Sequence, residues 1–184
     1  MQCGKGCTAC CHGLFDITIA DAVQVARGLE KLPQHLRDEV VKKAEYLHDG
    51  IRRLVLAAPT LLSENDPRID AIVDEGGSPP CPFLGDAGEC LIYDDRPTAC
   101  RLEGVPMIDT RSGLFGDWCE LNFTHGIPDD ALQDLRLDYD ALDATEEIRS
   151  SEIAVRARMN DTRAVTFIPS VILDFNYWAS LQSD

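Results

Sequence analysis

The placement of eight cysteines is what most constrains this chain. Four lie within the first eleven residues, as Cys3, Cys7, Cys10 and Cys11 of "CGKGCTACC"; the others are Cys81, Cys90, Cys100 and Cys119. A chain end is normally the least ordered part of a domain. Thiols left open there are readily oxidised. Something else in the fold must hold the amino-terminal segment.

The spacing suggests what. The first group reads C-x3-C-x2-C-C and the second C-x8-C-x9-C, with Cys119 following after eighteen residues. Four plus four fits two tetrahedral thiolate sites or one multinuclear cluster. Adjacent residues of an extended chain point to opposite sides, so Cys10 and Cys11 are expected to serve different ions or one ion and a bridge. Gly4, Gly6 and Gly13 give the first loop freedom to wrap an ion. Lys5 favours ionised thiols nearby. His12 reads as a neighbour of the ligands, His125 as a weaker ligand candidate, and His35 and His48 as water-facing helix residues.

Composition narrows the setting. At 184 residues the chain fits one domain with a real core, so cysteines are not needed to staple it. The net charge of −15 argues against nonspecific nucleic-acid binding and against an anionic membrane surface. No apolar leader precedes the first cysteine, and no run approaches ~18 apolar residues. The expectation is a cytoplasmic protein in a reducing compartment, where cysteines point to metal or redox chemistry rather than disulfides.

Periodicity predicts a mainly α fold, one helical domain with irregular cysteine-rich loops at 1–16 and 81–119. A first helix begins after Thr18 as N-cap, with Asp21 in its first turn, and ends before Pro33. Leu36, Val40, Ala44, Leu47, Ile51, Leu54 and Val55 mark a second, closed by Pro59. Residues 59–80 read as a loop with one helical turn near Ile69–Val73. Residues 81–119 carry only short apolar runs and call for an internal fastener. Beyond Pro128, Leu132, Leu135, Tyr139 and Leu142 step helically, forming a carboxyl-terminal extension over 128–184 with an acidic, solvated face. Residues 148–168 fit either a hairpin turning at Asn160-Asp161 or continued helix. Pro169 suits the first turn of a last helix, "PSVILDFNYWASL".

Around the second cysteine group the chain reads "CPFLGDAGECLIYDDRPTACR". Taken with "CGKGCTACC", this resembles the zinc- or iron-chelating cysteine-cluster family, CxxCxxCC-type or YkgJ-like. The shared positions are the Cys-Cys run and then Cys81, Pro82, Leu84, Gly88, Cys90, Ile92, Tyr93, Arg96, Pro97, Cys100 and Arg101. The resemblance spans residues 3–119; the first gap here is three residues where the family pattern has two. It implies metal binding through the eight cysteines, with no established reaction. Zn2+ stands ahead of iron or an iron–sulfur cluster, whose electron-transfer or oxidoreductase role is the alternative. Arg96 and Arg101 are expected either to offset thiolate charge or to pair with Asp94 and Asp95. Tyr93 and Trp118 read as packed cover.

Three rivals fit less well. C-x3-C-x2-C is also the radical S-adenosylmethionine spacing, but Ala9 stands at its aromatic position and no repeating β-α pattern follows. Cys7-Thr-Ala-Cys10 has the dithiol oxidoreductase spacing without a βαβ context. The flagellin lysine methylases share a similar cysteine-rich part, but this chain lacks their glycine-rich nucleotide loop.

Overall fold

The computed structural model describes residues 6–104, 106, 108–109, 118–131 and 134–182. Thr18 starts the chain's central helix as expected. Its hydroxyl accepts the Asp21 N–H at 3.1 Å, and α1 runs Ile19–Lys31 before Pro33. Ala22, Val25, Ala26 and Leu29 are buried. Helix α2, Gln34–Leu54, lays Val40, Ala44 and Ile51 inward. It also lays in His48, at 6% exposure, which corrects the water-facing expectation: Ala44, His48 and Ile51 are one helical stripe.

The fold is mainly α and forms a single domain, with a small sheet at one side. Strand β1 (Asp16–Thr18) leads into α1. Residues 59–80 hold more structure than a loop: β2 (Leu62–Ser63) and the nine-residue α3 (Arg68–Gly76). After a 3-10 turn at Tyr93–Asp95 comes the short α4 (Thr98–Leu102). Strands β3 (Ile108–Asp109) and β4 (Arg136–Leu137) pair in parallel.

The predicted helix beyond Pro128 begins only at Tyr139, and α5 runs Tyr139–Ala157. Leu132 lies outside the described residues. Helix therefore continues through Ile153 and Val155, and no hairpin forms there. The chain turns after Arg158, whose φ of 55° ends the helix. It re-enters as β5 (Ala164–Phe167), which pairs antiparallel with β1 on one side and β2 on the other. Asp16 faces Phe167, and Leu62 faces Val165. The last segment is two helices, α6 (Ile168–Leu173) and α7 (Phe175–Ala179), parted at Asp174.

Helix α1 touches β1, β5, α5, α6 and α7, while α2 packs on α6 and α3. The main core gathers α1, α6, Trp178, Phe83 and Ile92. A smaller one joins Leu14, Ile51, Leu62, Ile72 and Phe167. Among the described residues no helix is long and apolar enough to cross a membrane.

Candidate metal centre

The two cysteine segments are joined by backbone. Cys81 N–H donates to Cys11 O at 2.9 Å, and Gly13 N–H to Pro79 O at 2.8 Å, so 11–13 and 79–81 run antiparallel. Thr8 rests on the turn at Gly88, whose φ is +77° and whose added Cβ would lie 3.2 Å from Thr8 Cγ2. The fastener expected within 81–119 is thus partly an ordinary ladder. Leu91 N–H donates to Phe83 O at 2.9 Å and Gly85 N–H to Glu89 O at 2.8 Å. Phe83 and Ile92 drive this hairpin into the core, at 1% and 4% exposure.

Each anchor also serves a thiol. Phe83 N–H donates toward the Cys81 sulfur, and Ile92 N–H toward Cys90. The relation is the same at both: a cysteine, and a buried residue two positions on. Behind them, α1 approaches so closely at Gly28 that an added Cβ would lie 2.9 Å from Ile92 Cβ and 3.0 Å from Asp95 Cβ. Gln24 Nε2 donates to Arg96 O at 2.9 Å.

Cys100 is carried on α4, and α1 holds that helix from outside. Asp21 Oδ1 accepts the Thr98 N–H at 2.9 Å. The Thr98 hydroxyl in turn donates to Glu146 Oε1 at 3.1 Å, and Thr18 to Glu146 Oε2 at 3.2 Å. Glu146 is therefore not part of a solvated acidic face. Burial first, and then Glu146, raise the Asp21 carboxyl to about 6, against the hydrogen bond from Thr98. Sequence reading passed over both acids as sites. The one available signal was Asp21 lying on the buried side of α1 with Val25 and Gly28.

Four thiols lie within electrostatic reach of one another. Cys11, Cys81, Cys90 and Cys100 repel one another as thiolates in every pairing: Cys11 with Cys90, Cys81 with both, and Cys100 with all three. Burial is the largest effect on each and pushes all four up, Cys81 to about 12. Cations oppose it. Arg96 favours ionised Cys11 and Cys90, Arg101 favours Cys90, and Lys43 favours Cys81. Lys43 reaches this end of α2 by donating to Leu84 O at 2.9 Å. Cys81, Cys90 and Cys100 pack on the main core.

The arginines do not brace Asp95. Arg27 and Lys31 take its carboxylate at 2.9 and 2.7 Å. Burial pushes that carboxyl up, but these hydrogen bonds outweigh it and hold it below its ordinary value. Arg101 donates to the Asp94 backbone oxygen at 2.7 Å. Arg96 stacks over Tyr93 at 4.4 Å, and its buried Nε has no hydrogen-bond partner among the described residues. Tyr93 is exposed rather than packed beneath the thiols, and Trp118 is only partly covered; its indole donates to Asn122 O at 3.1 Å.

The remaining sequence candidates are spread outward. Cys7 is half-buried and Cys10 exposed. Both lie within electrostatic reach of Cys11, and the Cys10 thiol donates a hydrogen bond to the Cys11 sulfur. Cys119 sits past the end of α4, its N–H donating to Gly104 O at 3.3 Å. His12 Nδ1 lies 3.0 Å from Thr8 O; His12, His35 and His125 are exposed. Cys3 and Lys5 lie outside the described residues. The seven described cysteines are free thiols.

As they stand, no three His, Cys, Asp or Glu side chains among the described residues close into a group that could hold a metal ion. The donor chemistry nevertheless suits one. Four half-buried thiols that resist ionisation together are a poor arrangement by themselves. A divalent cation removes the repulsion, and soft sulfur prefers zinc, iron or a cluster to magnesium or calcium. The backbone N–H groups on Cys81 and Cys90 are outer hydrogen bonds of the kind that orient thiolate ligands.

A helical scaffold that gathers soft thiol donors at two stitched loops defines a metal-chelating class of protein. Residues 2–120 match the CxxCxxCC family model, described as "Putative zinc- or iron-chelating domain", and the chain belongs to that family. No curated protein and no solved structure gives a match.

Proposed function

We propose that the chain holds a thiophilic metal ion, with zinc ahead of iron, through Cys11, Cys81, Cys90 and Cys100. What carries this reading is the backbone bond that joins Cys11 to Cys81, with Cys81, Cys90 and Cys100 packed on the same core. Four sulfurs on one ion would make a closed tetrathiolate site. Of the eight thiols expected from the sequence, Cys7, Cys10 and Cys119 are left out of this set, and Cys3 lies outside the described residues. The role is retention of the metal, structural or as cargo, and a cytoplasmic setting fits the reduced thiols.

The test is elemental analysis with an absorption spectrum, on untagged protein purified without oxygen. The expected result is colourless protein carrying zinc, with the metal lost in Cys100→Ser. Brown protein with iron and acid-labile sulfide overturns the zinc assignment in favour of an iron–sulfur cluster. Full metal content in Cys100→Ser overturns the ligand set.

A further inference from the structure

We propose that the cleft between α1 and α5 is a binding site for a small free α-amino acid with an aliphatic side chain. The cleft is lined by no cysteine, and the reading does not depend on the metal that the thiols hold.

The first support is a cavity with carboxylates set deep in its wall. About 330 Å³ of space opens between the two helices, bordered by Gln182 from the carboxyl-terminal segment. Asp21 lines it and is 4% exposed. Glu146 lines it from α5. The Thr18 and Thr98 hydroxyls each donate to one Glu146 oxygen, and a carboxylate oxygen has a second lone pair to offer. Both acids are thus held in place by hydrogen bonds before a ligand arrives. An ammonium group is the complement to such a pair.

The second is a gathering of guanidinium groups against the charge of the chain. The protein carries −15 overall. Yet both basic residues of α5, Arg149 and Arg156, line this cleft, and Arg27 lines it from α1. Glu152 completes the set, so the acids and the arginines of the lining cancel. A cleft with both signs inside and no net charge suits a zwitterion better than a bare anion or cation. Arg149 has donors to spend. Its acid contact is Glu146 Oε1 at 3.7 Å, and it makes no hydrogen bond among the described residues. Guanidinium is the side chain that takes a carboxylate through two parallel N–H groups.

The third is spacing. Glu146 and Arg149 stand one turn apart on α5, with their charged atoms 3.7 Å apart. The ammonium and carboxylate of an α-amino acid share one carbon, so a single molecule reaches both. Ala20, Val23 and Ile153 add apolar wall for a side chain. The volume is at the small end for ligand pockets, which fits one amino acid rather than a peptide.

The experiment is isothermal titration calorimetry on the full chain as purified, backed by ligand-induced shifts in Tm. Three probes are compared: L-leucine, isocaproate (leucine without its ammonium) and isopentylamine (leucine without its carboxylate). The expected result is saturable binding of one leucine per chain, with each truncated probe at least tenfold weaker. Arg149→Gln, at an exposed position, should keep the wild-type Tm and lose at least tenfold in leucine affinity. The absence of both heat and Tm shift at millimolar leucine overturns the proposal. Isocaproate or isopentylamine binding as well as leucine overturns it too, in favour of a plain anion or cation site. An unchanged leucine affinity in Arg149→Gln also overturns it, because binding would then lie elsewhere on the chain.

Discussion

The carbonyl oxygen of Cys11 accepts the backbone N–H of Cys81 at 2.9 Å. That bond sets two cysteines from distant parts of the chain side by side before any ion is considered. It also means that the thiols depend on the packing behind them as much as on each other.

Removing the metal is the first check on that dependence. An ion that binds only the folded chain adds about 4 kcal/mol when present 1,000-fold above its Kd. Chelation should therefore lower the wild-type Tm. It should leave Cys100→Ser, already metal-free, unchanged. Thermal melts with and without chelator make the comparison, and an equal drop in both would show that the chelator acts elsewhere.

Gly28→Ala should loosen the docking of the second cysteine segment on α1. The added Cβ would fall 2.9 Å from Ile92 Cβ, and overpacking of this kind costs about 1–3 kcal/mol. Gly50, in α2, has nothing within 4 Å of its Cβ position. There alanine should stabilise by up to about 1 kcal/mol, the helix preference alone. Urea midpoints of the two variants should move in opposite directions.

Asp21 should make the protein less stable as pH rises through the mildly acidic range. Its folded carboxyl titrates at about 6, above its ordinary 3.8. The folded state therefore holds the proton better, and that contribution is present below 3.8 and lost as pH climbs through 6. The loss is on the order of 3 kcal/mol. Asp21→Asn keeps an oxygen for Thr98 N–H and removes the titration. Its stability relative to wild type should grow between pH 4 and 7, and parallel curves would refute the assignment.

His48 works in the opposite direction. Burial first, and then Arg52, hold it below its ordinary 6.5, against Asp174 and Asp49. A depressed folded value means that its neutral form is favoured. The contribution is present above 6.5 and lost as pH falls through the folded value. Neither ring nitrogen has a hydrogen-bond partner among the described residues. Leucine there should cost nothing at neutral pH, or add about 1 kcal/mol, and should flatten the acid limb of a stability–pH curve.

Helix α1 with its Thr18 cap, the stripe of α2 and the family pattern around Cys81–Arg101 were legible because each is a local signal. The sheet was not. Strands of two to four residues are too short for a two-residue period, and β1, β2 and β5 come from three distant segments. His48 was misread despite its place among Ala44 and Ile51, because residue type outweighed position. The candidate site was legible as a set of thiols but not as an order among them. That order rests on Phe83, Ile92, Asp21 and Lys43, none of which is a thiol.

Cys11 and Cys81 stand seventy residues apart in the chain. Bringing such ends together in a flexible polymer costs roughly 4 kcal/mol of loop entropy. Here folding has already closed that loop. A synthetic peptide covering either cysteine segment alone lacks this advantage, as does an equimolar mixture of the two at ordinary concentrations. Such peptides should bind the same ion more weakly, by a factor on the order of a thousand. Recognition motifs cut from this protein will therefore understate it: the grip belongs to the topology, not to the cysteine-rich words that announce it.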